Sequence, residues 1–283
     1  MAKLDELHNY AYPDKYLDEL HIYDKKIGNT SDEIHYYGNR GLTYGLDEMH
    51  LYGSYQTVDT SIDEINKPSE QYEVIDIDEY FDEIEDMDEY QREIRKEIAK
   101  DYKDILTLIL MLILADLRVG NEVNASFYQS MAKQRFMDVV EDKLPDITIT
   151  IYTEIENYIN RNIELIIDST IRNSNQPYFF SEARATSIAV DDSMATMNLD
   201  ELGEAKEAGY THKKWVTMRD RRVRESHEKV DDEVVEIDEP FKVGRCLMQA
   251  PLIFDEESEH QDAKEVANCR CFLVYLTKNK AKA

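Results

Sequence analysis

Cysteine is nearly absent from this chain, with only Cys246, Cys269 and Cys271 among 283 residues. So few, and an odd number, argue against a disulfide framework and fit a reducing cytoplasm. Long apolar runs are missing too. The longest, Ile105–Leu117, is interrupted by Thr107 and Asp116. It falls short of the roughly 20 apolar residues that a bilayer-crossing helix needs, so it reads as a buried helix and no membrane contact is expected. Met1 to Tyr12 shows no basic stretch followed by an apolar one, which argues against secretion. No glycine-rich phosphate loop, metalloprotease helix or nucleophile elbow appears, so an enzyme has no motif to rest on. Positive charge is scarce: 33 Lys and Arg face 60 Asp and Glu, a formal net charge of −27. A chain this acidic should be soluble and, taken as a whole, should repel DNA.

What the chain does have begins with a repeat. Leu4-Asp5-Glu6-Leu7-His8, Leu17-Asp18-Glu19-Leu20-His21, Ser31-Asp32-Glu33-Ile34-His35, Leu46-Asp47-Glu48-Met49-His50 and Ile62-Asp63-Glu64-Ile65-Asn66 share one pattern. Their first aspartates are 13, 14, 15 and 16 residues apart. The unit is too short for a solenoid, whose repeats run to about 20–50 residues. It can be a low-complexity acidic tail, or a string of linear docking motifs anchored by Leu4, Leu7, Leu17, Leu20, Ile34, Leu46, Met49, Ile62 and Ile65. Irregular repetition favours the second reading, because tethered copies raise effective concentration on a multivalent partner such as a ring or shell. The widely spaced repeat histidines do not suit a metal site. Residues 1–70 are therefore expected to be a largely irregular acidic repeat tail. Residues 71–92 follow as an acidic connector, expected to be solvated. Its alternation at Val74-Ile75-Asp76-Ile77-Asp78 could instead pair with a partner's sheet edge. Over residues 1–104, 11 Lys and Arg stand against 28 Asp and Glu, so most of the acidity lies in this part.

From about Met87 the period changes. Tyr90, Ile94, Ile98, Tyr102, Ile105, Ile109 and Leu112 recur at helical steps, and Gly120-Asn121 stops them. Further helices are expected over Val123–Leu144, Ile147–Arg172, Phe179–Met197 and Leu199–Ala208. Residues 93–177 are assigned to a helical bundle. After Gly209, Trp215–Met218, Val234–Ile237 and Phe272–Leu276 read as short strands, with Asp231-Asp232 as a turn. The fold class is mainly α, with a small C-terminal α+β module in residues 178–283.

That last third carries the most specific signal. It runs Lys213-Lys214-Trp215, Asp220-Arg221-Arg222-Val223-Arg224-Glu225-Ser226-His227, Pro240-Phe241, Pro251, then Asn268-Cys269-Arg270-Cys271-Phe272. Over roughly residues 180–276 this order resembles the C-terminal domain of the phage Mu F-like head morphogenesis family, the minor head proteins found beside portal genes. The resemblance makes Trp215, Asp220, Arg224, His227, Cys269, Arg270 and Cys271 the structural framework. It implies a non-enzymatic protein of the virion, at the portal vertex inside the capsid and in the host cytoplasm during assembly. Its expected partners are the portal protein, the major capsid protein and, through a basic patch, packaged DNA. Two departures stand out. Asp231-Asp232 replaces the family's Asp-Gly turn, and Arg224 and His227 stand where many members have cysteines.

His227, Cys246, Cys269 and Cys271 offer four nitrogen or sulfur groups, enough for a closed zinc site. Cys269 and Cys271 are closer in sequence than the usual zinc pair, so the favoured reading makes these residues buried core; no metal or cofactor is expected. Arg270, between them, would face the other way and could meet an acid such as Asp220. Lys213, Lys214, Arg219, Arg221, Arg222 and Arg224 crowd twelve positions with Asp220 the one acid among them. They could contact DNA or an acidic portal surface, or pair with nearby acids such as Asp231 and Asp232. Arg224 with Asp220 is one candidate pair. The alternatives to a head protein are a phage-encoded toxin or nuclease-like enzyme, using Asp220, Arg224 and His227, and a generic acidic adaptor.

Overall fold

A computed structural model describes residues 20–21, 35–36, 72–84 and 87–278. The chain divides into two units, Met1–Thr60 and Ser61–Ala283. In the first, the described residues form one antiparallel pair, β1 (Leu20–His21) with β2 (His35–Tyr36). Apart from the backbone of Leu20, the repeat anchors lie outside the described residues.

The second unit is mostly helical, and the periodicity places the helices well. α2 spans Glu89–Arg118, α3 Ala125–Lys143, α4 Ile149–Arg172 and α5 Glu182–Glu207. Each starts at a residue whose side chain accepts from exposed N–H groups of the first turn: Asp88, Asn124, Thr148 and Ser181. Gly120 and Gly209, at φ 74° and 79°, take the left-handed turns that follow α2 and α5. Ile151, Ile155, Ile159, Ile163 and Ile167 make one buried stripe on α4. Each such side chain, fully removed from water, contributes about 1.5–3 kcal/mol. α2 supplies Ile98, Tyr102, Leu106, Ile109 and Ile113, and Tyr102 stacks on Phe136 of α3 at 4.0 Å.

Two helical expectations change. Phe179–Met197 and Leu199–Ala208 are one helix, α5, because nothing at Asn198 breaks it. Asn198 is instead a buried tie: its Nδ2 donates to Pro251 O, and its Oδ1 accepts from Arg95 Nη2 of α2. Pro177–Phe180 is a 3-10 turn that leads into the Ser181 cap. α5 packs most extensively on α2, so helices on either side of residue 177 share one core.

The connector also differs from expectation. α1 (Ile77–Asp82) is a helix capped by Asp76 and packed on α2. Ile77, Tyr80, Phe81, Ile84 and Met87 are buried. Lys96 and Lys100 of α2 hold Asp82 and Asp78 at 2.6 and 2.7 Å. An apolar stripe outweighs the acidity that suggested a solvated segment.

The C-terminal module contains two three-stranded antiparallel sheets. One has the order β4 (Val234–Glu236), β3 (His212–Val216), β8 (Phe272–Leu276). The other runs β5 (Phe241–Val243), β6 (Cys246–Ala250), β7 (Ile253–Phe254). The second sheet was not expected, and β3 begins three residues before Trp215 and ends at Val216. Leu202 and Ala205 of α5 pack with Ile237 and Tyr275, joining helix to module. Among the described residues, no helix is long and apolar enough to cross a membrane.

Candidate functional site

The framework residues converge at one end of the first sheet. Trp215 is the penultimate residue of β3, opposite Leu273 of β8, and is fully buried. Its ring meets His227 edge-on at 5.5 Å and Phe241 at 5.3 Å. His227 lies on a short helix, α6 (Glu225–Glu228), whose first turn is set by the extended Arg224. Cys269 and Cys271 lie just before β8, whose register against β3 fixes their depth.

All three of His227, Cys269 and Cys271 are buried, and their ligand atoms lie within 4.8 Å of one another. His227 Nδ1 is 3.4 Å from Cys271 Sγ and 3.5 Å from Cys269 Sγ. On the other side of the ring, His227 Nε2 is 3.5 Å from Oε2 of Glu265, itself buried. Ser226 Oγ donates to that same oxygen at 2.6 Å. Gly244, at φ 61°, leaves room for the carboxylate; a Cβ there would stand 3.0 Å from Glu265 Oε1. A hydrogen bond from the Cys271 thiol lowers the pKa of Cys269 well below the ordinary thiol range, and His227 adds to this against the cost of burial. Cys271 is pushed up in turn by Cys269 and by burial. Cys246 is buried on β6 and does not belong to this group, so only three of the four groups weighed as a zinc set come together.

Arg270 turns away from the two sulfurs and meets Asp220 at 2.5 Å and Glu83 at 3.5 Å. Arg222 joins both acids, at 3.3 and 2.5 Å. Burial opposes ionisation of Asp220, but hydrogen bonds from Arg270 and from the Arg222 backbone outweigh it and bring Asp220 to about 2. Arg224 does not take Asp220; its guanidinium donates to Ala267 O. Asn268, at φ 52°, donates its N–H to Asp191 of α5 at 3.0 Å, and burial pushes Asp191 well up.

The basic patch is largely compensated. Lys213 is buried, with Nζ on the carbonyl and side-chain oxygens of Gln249 at 2.8 and 2.6 Å, so it is a core residue and not a surface contact. Lys214 meets Asp232 at 2.9 Å. Arg219 spans Asp231 and Asp232 at 2.7 and 2.5 Å. The turn expected at Asp231-Asp232 is made with positive φ at Asp232, at 63°, held by its N–H to Trp215 O. Arg221 and Arg222 are exposed.

Sequence reading missed Tyr80, Glu83, Ser226 and Glu265. Tyr80 Oη donates to Cys269 O at 3.3 Å, so the connector helix buttresses the cysteine segment.

Comparison with known proteins matches the family described as Phage Mu protein F like protein over residues 152–274. The match begins inside α4, earlier than the motifs alone suggested. The NAD(+)--arginine ADP-ribosyltransferase EFV of Enterococcus faecalis (strain ATCC 700802 / V583) is 31% identical over 124 residues, which is 44% of this chain and 22% of that protein. The chain thus spans about a fifth of the length of that relative. No solved structure matches.

Proposed function

We propose that this chain, whose residues 152–274 form a Mu F-like domain, is a minor head protein of a tailed phage that works inside the capsid at the portal vertex. The observation that carries the reading is the family match, supported by the way its framework residues close on one another around Trp215. The C-terminal module is the fixed part. The five Asp-Glu-aliphatic units are docking peptides for equivalent grooves on the portal ring or the inner capsid.

The compensated basic patch favours a protein partner over packaged DNA. DNA binding scales with the number of phosphates that cations neutralise. Here Lys213 is buried, while Lys214 and Arg219 each hold a carboxylate. Arg221 and Arg222 remain at the surface, and Arg222 already carries Glu83 and Asp220.

Protein analysis of purified, DNA-filled particles tests the placement. The chain is expected at a few copies per particle; its absence from particles that contain the portal protein refutes it. A peptide of residues 1–66 is expected to retain portal or capsid protein. Retention by residues 88–283 instead would reject the docking role of the repeats. The transferase name belongs to the relative. Release of nicotinamide from NAD+ by the purified full chain, with an arginine acceptor, would replace the structural reading with an enzymatic one.

A further inference from the structure

We propose that His227, Cys269 and Cys271 bind one zinc ion, through His227 Nδ1 and the two sulfurs, with the fourth position open to a pocket that water enters.

The geometry points to a metal. A tetrahedral zinc, with bonds of about 2.3 Å to sulfur and about 2.0–2.1 Å to nitrogen, separates a nitrogen and a sulfur ligand by about 3.6 Å. The two Nδ1–Sγ separations here are 3.4 and 3.5 Å, so both edges already have that length. The remaining edge, between the sulfurs, is within 4.8 Å, and a tetrahedral zinc sets it at about 3.8 Å, so closing it takes at most about 1 Å of movement. Both sulfurs approach the same ring nitrogen. A neutral imidazole Nδ1 that carries a proton can donate to one of them well and to both only poorly; as a bare lone pair it gives one ligand direction to an ion between them.

The far side of the ring supports this tautomer. Histidines that bind metals usually donate their other N–H to a carboxylate, which fixes the ring and raises its basicity. Nε2 lies 3.5 Å from Oε2 of the buried Glu265, which Ser226 Oγ anchors at 2.6 Å; no hydrogen bond joins them, so a slight ring rotation is needed to make one. Burial also fits the charge. Two thiolates and a neutral imidazole on a divalent ion make a neutral complex, which avoids the cost of an unpaired buried charge. Zinc binding releases to solvent whatever protons the two sulfurs and Nδ1 still carry. Met218, Arg224 and Asn268 line the pocket beside the three donors, leaving the fourth position accessible. Three protein ligands plus water is a common zinc arrangement, and paired thiolates favour zinc over harder ions such as magnesium or calcium. The Cys-x-Cys spacing, unusual for a zinc pair, is accommodated because Arg270 between the sulfurs turns away to Asp220.

Full-length protein, purified without chelator from zinc-supplemented cells, is expected to carry about one zinc per chain by elemental analysis. X-ray absorption at the zinc edge should show two sulfurs and lighter N or O ligands. Cobalt exchanged into the site should give thiolate charge-transfer bands and the ligand-field bands of a tetrahedral ion. Cys271→Ser and His227→Gln should each lose most of the metal, while Cys246→Ser keeps it. If the variants fail to fold, the absorption spectrum of the unaltered protein still decides, because a third sulfur or no sulfur overturns the assignment. Metal-free protein that takes up neither zinc nor cobalt on titration, with helical content intact, also overturns it.

Discussion

Gly203 of α5 lies close against Ile151 of α4, and its replacement tests how tightly the bundle is packed. A Cβ at Gly203 would lie 2.3 Å from Ile151 Cγ1 and 2.5 Å from Cδ1. Carbon atoms rest at about 3.5–4.0 Å, so Gly203→Ala needs more than an ångström of movement at two atoms. On an unpacked helix surface the change would stabilise by about 1 kcal/mol through helix propensity. Overpacking a core costs about 1–3 kcal/mol. Ile151 is 3% exposed and sits in the first turn of α4, so it can relieve the clash only by leaving its rotamer or by lifting the helix end. The net expectation is a loss of about 1–2 kcal/mol. Ile151→Ala alone should cost about 2–3 kcal/mol, near the lower end for such truncations because a helix end can settle. In the double variant the two clashing atoms are gone and the new methyl faces Ile151 Cβ at 3.5 Å, an ordinary contact. The two changes should therefore couple favourably by about 1–3 kcal/mol. Urea unfolding followed by far-ultraviolet circular dichroism reads this as midpoints at an unchanged slope. A Gly203→Ala protein as stable as the parent, or additivity within about 0.5 kcal/mol, refutes the close approach.

Two further predictions concern charges inside the bundle. Burial pushes Asp192 up to about 7, against hydrogen bonds from Tyr158 and Asn162. A carboxyl that binds its proton more tightly folded than unfolded lends stability that is complete below its unfolded value and gone once pH has climbed through its folded one. Asp192→Asn should therefore flatten the loss of thermal stability between pH 4 and 8, with a ceiling of about 4 kcal/mol; an unchanged slope rejects the assignment. Arg95 is wholly buried and meets Glu201 at 2.6 Å. Glu201→Gln should cost about 3–5 kcal/mol in urea unfolding and Arg95→Met with Glu201→Leu much less, because the first change strands a buried cation; equal losses would contradict this.

The helices that sequence reading found were those with both a period and punctuation. α2, α3 and α4 each carry an apolar repeat, a capping side chain and a stop, and they were placed to within a few residues. α5 was divided because it is buried on most sides, so no single stripe marks it and Asn198 looked like a boundary. That asparagine reaches across to Arg95 and Pro251, partners distant in sequence that no local pattern reveals. The second sheet was missed although part of its pattern was present. Cys246, Met248 and Ala250 alternate buried with half-buried neighbours, and Phe241 and Val243 flank an exposed Lys242 before the positive φ of Gly244. Strands of two to five residues offer too few periods for alternation to stand out.

The same contrast explains which parts of the site were legible. Trp215, His227 and the two cysteines stood out because rare residue types in a fixed order are informative at any distance. Glu265 and Glu83 could not stand out in a chain with 60 acidic residues, where one more carboxylate says nothing. Glu83 meets Arg222 and Arg270, so part of the connector's negative charge is spent inside the fold and is not offered to solvent. Ile77, Tyr80, Phe81 and Ile84 fall at i, i+3, i+4 and i+7, a helical stripe that was present in the sequence beneath the acids. Charge density describes what a segment repels on average, whereas the spacing of its few apolar residues decides whether it can dock. In an acidic stretch the second signal should be read first. The repeat units before residue 70 invite the same reading, since four of the five bracket their two acids with apolar residues three positions apart, Ser31 taking the first place in the third unit.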